Sequence, residues 1–538
     1  MTFVALKRAL INEPKHPNPI HMKRFPKLAM TAAVAALAVT SANAQSVGSA
    51  CGCPAVSSRT QVLTSTLVDV NGNLLNANTS LTCNNLYVLN SRLYVNNGQD
   101  LFIEPGTVIK AQDNAGDARA IIVSRGGQIW ANGSESCPII MTSTADPLDG
   151  TYAVTNRGVW GSLIVLGRAY TNKRASDGDV TATATNGVGN IEGLATGDAR
   201  HEYGNPVGTE INDDNSGVIR YVSLRHGGEV IGANNEINGL TLGGVGTGTT
   251  IDHVEVIGNK DDGFEFFGGT VNAKYLVAMH NDDDYADTDQ GWNGKIQYFY
   301  GVQGPDNSGG ANNQGDNGFE LDGDDAATNA ANGGIPSNPT IYNATLIGRN
   351  INDEGIEAKE RTQGTYANCV FARFQQGLNM TTAVETFWNA NTFNVKNCTF
   401  QGVTNNLRIN GAVPAGGSPA QNKFTADGNL VVAAQALIDA TYTLTGANVI
   451  TDRVNPVPAA GTATSTLNPP NDGFFSGGKY RGAFEPGKAP WTQGWTLAAD
   501  LGLDVAAVAG CAGDLNKDGV INSTDFGLFV GAFNGTCY

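Results

Sequence analysis

The stretch IDHVEVIGNKDDGFEFFGGTVNAKYLVAMHNDDD, from Ile251 to Asp284, decides the fold. It holds two copies of one pattern: eight residues that alternate apolar and polar, a Gly/Asn/Asp turn, then a second short strand. The octads are IDHVEVIG from Ile251 and AKYLVAMH from Ala273. The same octad precedes them as IRYVSLRH from Ile219 and follows as KIQYFYGV from Lys295, IYNATLIG from Ile341, YANCVFAR from Tyr366 and VKNCTFQG from Val395. Several successive starts are 22 to 32 residues apart, the length of one solenoid coil. A Gly/Asn/Asp-rich insertion separates the octads at Lys295 and Ile341.

Positions four and six are mostly small or apolar, as in Val222 and Leu224, Val254 and Val256, Leu276 and Ala278, Ala344 and Leu346. A period of two puts them on one strand face. Parallel strands stacked at about 4.8 Å would line them into ladders forming a continuous core. The expected fold is all-β, a right-handed parallel β-helix solenoid with a small C-terminal calcium-loop and helix module. Cys369 and Cys398 share position four, and Phe371 and Phe400 share position six. The two thiols are therefore neighbours, as a buried thiol ladder or as a disulfide. Leu93 to Ala111 and Ala120 to Ser143 read as further pairs of short strands broken by Gly turns.

The organisation expected along the 538 residues is a signal peptide over 1–44, an N-terminal segment or cap over 45–79, the β-helix over 80–450, a closing segment and linker over 451–510, and the terminal module over 511–538. The signal reads best from Met22, with Lys23, Arg24 and Lys27, an apolar run from Leu28 to Val39, and Ala42-Asn43-Ala44 before the cleavage point. That run is too short to span a bilayer. A secreted or cell-surface location is expected. The whole chain carries 33 Lys and Arg against 50 Asp and Glu; six and one of these lie in residues 1–44, leaving 27 against 49. So acidic a chain repels nucleic acid and anionic membranes and favours divalent cations.

Eight cysteines in an exported chain permit disulfides. Cys511 and Cys537 bracket the terminal module and are expected to pair; the pairing of Cys51, Cys53, Cys83, Cys137, Cys369 and Cys398 stays open. Within that module Asp514, Asn516, Asp518, Asn522 and Asp525 place oxygens at loop positions 1, 3, 5, 9 and 12. Val520 offers its carbonyl at position 7, and Gly519 sits at the sharp turn. Ca²⁺ is the expected cofactor. Asp at position 12, where an ordinary EF-hand has Glu, resembles the dockerin version of the loop. A dockerin carries two such repeats and this chain one, which weakens docking into an extracellular complex.

Acidic turns follow the octads: Asn259 to Glu265, Asn281 to Asp289, Asp316 to Asp322 and Asn352 to Glu357. In the simpler reading these are ordinary corners, with Gly at positive φ and Asn/Asp capping amides. In the other, Asp262, Asp283, Asp284 and Asp287 hold Ca²⁺, with Lys295 or Lys359 as a base on a uronic-acid substrate. Trp292 and Tyr300 are candidates for stacking on sugars, or for the core. His226, His253 and His280 are 27 residues apart, but differ in octad position, so no metal site is read from them.

The stretches IEPGTVIKA, WGSLIVLGRA, SGVIRYVSLRHGG, the long run from Asn235 to Asp284, and YRGAFEPGKAPWTQGWT resemble a bacterial family of exported right-handed β-helix proteins of the pectate-lyase-like superfold. The likeness covers most of residues 80–496. It implies the fold, and a superfold shared with polysaccharide lyases and hydrolases. The first functional expectation is a structural, adhesive or carbohydrate-binding surface protein stabilised by calcium, with polysaccharide or matrix components as partners. The alternative is a calcium-dependent polysaccharide lyase or another carbohydrate-active enzyme.

Overall fold

The computed structural model describes residues 47–113, 119–175, 186–232, 235–304, 317–324, 334–351, 353–440, 444–445, 449–450 and 454–504, all within one compact unit. The expected signal segment and the expected terminal module, with Asp514, Asn516, Asp518, Val520, Asn522, Asp525, Cys511 and Cys537, lie outside the described residues.

The chain winds through three parallel sheet faces. The first face stacks ten strands in chain order: Leu93–Val95, Ile121–Val123, Leu163–Leu166, Leu240–Gly243, Phe264–Phe267, Ala286–Asp289, Asn317–Leu321, Glu354–Ala358, Gln376–Met380 and Asn405–Ile409. Each octad supplies the other two faces. Its first half continues the rungs Asn78–Leu81, Asp100–Ile103 and Gln128–Asn132, and its second half continues Asn85–Leu89, Val108–Ala111 and Ile139–Ser143. Within the 45–79 segment, Thr60–Leu63 pairs in parallel with Asn85–Leu89. At the other end the last described rung is Leu430–Val432.

Positions four and six point inward as the alternation requires. Val222, Val254, Leu276, Phe299 and Ala344 fall in one register line and are all 0 % exposed. One octad starts a residue later than the spacing suggests: Ile296, not Lys295, stands opposite Ala273 and Ile341. Trp292 and Tyr300 are core residues, both 0 % exposed. The Trp292 ring stacks on Phe266 at 4.2 Å, and the Tyr300 hydroxyl donates to the Leu503 carbonyl. Neither is available to a sugar. Cys369 and Cys398 are buried free thiols on adjacent rungs.

An octad bends because its third residue is left-handed: Tyr221, His253, Tyr275, Tyr298, Asn343, Asn368 and Asn397 all have φ between 48° and 67°. Asn and His tolerate this region better than most residues; the tyrosines hold it by stacking. Rings of Tyr221, His253, Tyr275 and Tyr298 follow one another at 4.3, 4.2 and 4.8 Å, each contact worth about 0.5–1.5 kcal/mol. A C-terminal strap runs over this corner. Trp491 and Trp495 meet the ring stack edge-on. Asn343 donates to the Gly478 and Tyr480 carbonyls, and Asn368 to those of Leu467 and Gly478. Glu255, 0 % exposed, accepts the Leu497 and Ala498 amides and the Ser223 hydroxyl.

Two disulfides, Cys51–Cys137 and Cys53–Cys83, fasten the N-terminal segment to the first coils. The far end is closed by the helix Pro419–Ala426, capped by Ser418, whose Phe424 packs on Phe400.

Candidate cation site on the acidic face

The outward residues of the first face change character along the solenoid. On the early rungs they are Tyr94, Ile122, Ile164 and Leu166, buried beneath Ile191, Leu194 and Tyr203 of a covering segment. That apolar cover ends at Phe267. From there the register aligns Thr241, Glu265, Asp287, Glu320, Glu357, Asn379 and Arg408 in a single column. At about 4.8 Å per rung, four successive carboxylates stand closer than water alone would make comfortable.

Two groups converge at the head of this column. Carboxylate oxygens of Asp262, Glu265 and Asp287 all lie within 4.8 Å of one another, and so do those of Asp261, Asp262 and Asp283. The groups share Asp262, giving five side chains around one corner. Burial is the chief cause that lifts the Asp262, Glu265 and Asp287 carboxyls well above the ordinary range, and neighbouring carboxylates add to it. Asp261 is raised by burial and by Glu236 to about 6. Hydrogen bonds satisfy only part of the site. Asn238 donates to Glu265 and Asp262 accepts the Asp284 amide at 2.9 Å. Asp287 Oδ1, Asn238 Oδ1 and Thr241 Oγ1 are buried without a hydrogen-bond partner. A hard, oxygen-seeking divalent cation fits this donor set: it answers the charge and takes the orphaned oxygens together.

Of the four aspartates expected to gather, Asp262, Asp283 and Asp287 do. Asp284 does not belong to either group. It accepts the Asn317 amide at 2.5 Å, and burial, with Glu320 adding to it, raises its carboxyl well above the usual range. Asp353 is a turn cap in the simpler sense, accepting the amides of Arg349, Asn350, Ile351 and Gln375. Asp282 is neutralised by Arg157 at 2.5 Å and Lys260 at 2.7 Å. Asp261, Glu265 and Glu320 are the site residues that turn-reading missed. Their signal is an apolar–acid–apolar triplet on successive coils: Phe264-Glu265-Phe266, Ala286-Asp287-Thr288 (with Thr in the third place), Phe319-Glu320-Leu321 and Ile356-Glu357-Ala358.

The two lysines part company. Lys295 lies on the octad sheet, paired with Asp472 at 2.5 Å, and is not in the acidic column. Its register one residue before the octad turns it away from the corner. Lys359 does stand beside the column, bridging Glu320 and, at 3.7 Å, Asp322. Burial opposes its charge, but Glu320 and Asp322 raise it far above the usual lysine value. It is a held cation, not a free base.

The family profile described as "Pectate-lyase like beta helix domain" matches residues 72–436. The chain belongs to that family. The match spans this β-helix domain from the rung beside residue 78 to the last described rung, so it takes in every residue of the acidic column. Comparison with curated proteins and with solved structures gives no match.

Proposed function

We propose that this is an exported β-helix protein whose acidic face binds Ca²⁺ and, through the ion, engages anionic polysaccharide in a structural or adhesive role. The observation that carries this is the paired carboxylate groups meeting at Asp262, with buried, unpartnered oxygens beside them. A face this acidic repels a uronate polymer unless a bound cation inverts the local charge. The two disulfides accord with an oxidising compartment outside the cytoplasm. The terminal loop from Asp514 to Asp525 would add a second calcium site and a place to anchor the chain.

The test is calorimetric calcium titration of the chain from Gln45 beside one ending at residue 508. Binding that persists in the shorter chain, and is lost in Asp262→Asn, assigns the ion to the acidic face. Binding that disappears with the terminal loop returns the corners to a purely structural role. Retention on a polyuronate matrix should then require calcium and fail in chelator.

Lyase chemistry is the second reading, favoured by Lys359 standing in line with the carboxylates. A base must release its proton to remove one from the carbon beside a uronate carboxyl. Lys359 is held charged by Glu320 and Asp322, which is why binding ranks ahead of catalysis.

A further inference from the structure

Among the described residues, six of the twelve large apolar side chains left exposed sit at the two ends of the solenoid: Leu63, Val70 and Leu75 at the start, Val413, Leu430 and Val431 at the finish. Charge divides the molecule in the same way. Residues 47–99 hold two arginines against one aspartate, and residues 382–440 hold three basic and three acidic residues, whereas the whole chain carries a net charge of −17. The ends are thus close to neutral and the middle is acidic.

Both ends are edges of one parallel sheet. Its pairings run without a break from Thr60–Leu63 to Leu430–Val432, and among the described residues each of these two strands is paired on one side only. A single register line threads that sheet. Val62, Tyr87 and Ile109 begin it, and Phe371, Phe400 and Val431 end it. Tyr87, Ile109, Phe371 and Phe400 are buried, but Val431 is 55 % exposed and Val62 only partly buried. The ladder is unfinished at both ends. The helix Pro419–Ala426 shields the core beside Leu430–Val432, and Leu67, Val68 and Leu74 shield it beside Thr60–Leu63. Neither cover adds a strand to this sheet. Edges are ordinarily blunted by charged side chains or Pro; Thr60-Gln61-Val62-Leu63 and Leu430-Val431-Val432 contain neither.

These features select the partner. The two edges run in the same direction, so the one left open at Leu430–Val432 is the kind that Thr60–Leu63 completes. In continued register Leu430, Val431 and Val432 stand opposite Gln61, Val62 and Leu63, with apolar against apolar at two of the three positions. Copies meeting side by side would bring acidic surfaces together, whereas copies meeting end to end join the neutral ones.

We propose that a second copy of this chain docks head to tail, with Thr60–Leu63 of one copy continuing the sheet at Leu430–Val432 of the next. Such a contact uses a different patch on each copy, does not close, and builds an open filament. Sedimentation velocity on the chain from Gln45 tests this, in chelator so that no cation bridges two acidic faces. From about 10 μM to about 1 mM the mean sedimentation coefficient should climb past the dimer value without a plateau. Val431→Lys and Leu63→Lys each charge one edge at an exposed position. Each should keep the parent Tm and stay monomeric alone. Mixed in equal amounts they should form 1:1 dimers and nothing larger, because each supplies the edge that the other has lost. The proposal is overturned if the parent stays monomeric throughout, if it stops at a closed dimer, if either variant alone still associates, or if the mixed variants fail to pair.

Discussion

Removing calcium should make this protein less stable as pH rises, the reverse of ordinary carboxylate behaviour. Two unit charges 4.8 Å apart repel by about 3.5 kcal/mol at an effective dielectric near 20, and three such charges by about 10 kcal/mol. Without a cation the corner must hold protons instead. Its carboxyls are raised, so above the unfolded values near 4 the native chain binds more protons than the unfolded one, and stability falls with pH. Asp261 alone, lifted from 3.8 to about 6, corresponds to roughly 3 kcal/mol lost between about pH 4 and pH 7. For the roughly 410 described residues, an unfolding entropy near 2.1 cal/mol/K per residue turns this into a Tm change of about 3 °C. Calcium at about 100 times its Kd restores about 2.7 kcal/mol. The assay is thermal unfolding of the chain ending at residue 508, in chelator and in calcium, from about pH 5 to about pH 8. The chelated Tm should fall by about 3 °C or more across that range, and the two curves should separate most at the alkaline end. Glu265→Gln and Asp287→Asn should flatten the chelated curve. A chelated Tm that stays level or rises with pH, with no calcium response at the alkaline end, would refute the reasoning.

Other outcomes follow from the same geometry. Lys359→Gln frees Glu320 beside Asp287 and should tighten calcium binding roughly 3- to 10-fold, whereas under lyase chemistry it would abolish unsaturated product from a uronate polymer. Replacing both cysteines of a bridge by serine should cost about 4.5 kcal/mol for Cys51–Cys137, which are 86 residues apart, and about 3.5 kcal/mol for Cys53–Cys83, 30 apart; denaturant titration measures the difference. Phe371→Ala empties a fully buried ladder position and should cost about 3–5 kcal/mol by the same method. Asn368→Ala removes one of two donors to each of the Leu467 and Gly478 carbonyls and the acceptor of the Ser465 hydroxyl, costs about 1 kcal/mol, and should speed amide exchange in residues 464–481.

Reading alternation recovered the ladders, because a period of two and a coil-length repeat leave few folds that bury Val222, Val254 and Leu276 together. The same reading slipped a residue at Lys295, where Ile296 and Tyr298 fit either frame. The left-handed third position was written in plain view as Tyr, His and Asn, yet its meaning depends on the strap that covers it, and contacts such as Glu255 to Leu497 span 242 residues. Of the four corner aspartates named from sequence, Asp262, Asp283 and Asp287 lie in the two carboxylate groups and Asp284 lies outside them. Asp283 and Asp284 are indistinguishable in sequence; only the Asn317 amide on the next coil decides which one faces inward to the backbone. Glu265 and Glu320 stood within the acidic turns but were not read as ligands, because the register that aligns them with Asp287 is set between coils.

The strap also sets the order of events when the chain is made. Coils whose partners are neighbours can close one after another as they emerge, since local contacts form first. The ring stack from Tyr221 to Tyr298 waits for Trp491 and Trp495, the last part of the described chain to arrive. Until then the middle of the molecule has its rungs but not its seal, and its aromatic corner lies open to proteases and to other chains. Once residues 491–498 dock, a fray starting at either end must break contacts anchored in mid-solenoid. A chain truncated before Trp491 should thus be degraded as it is made although every described coil is already present.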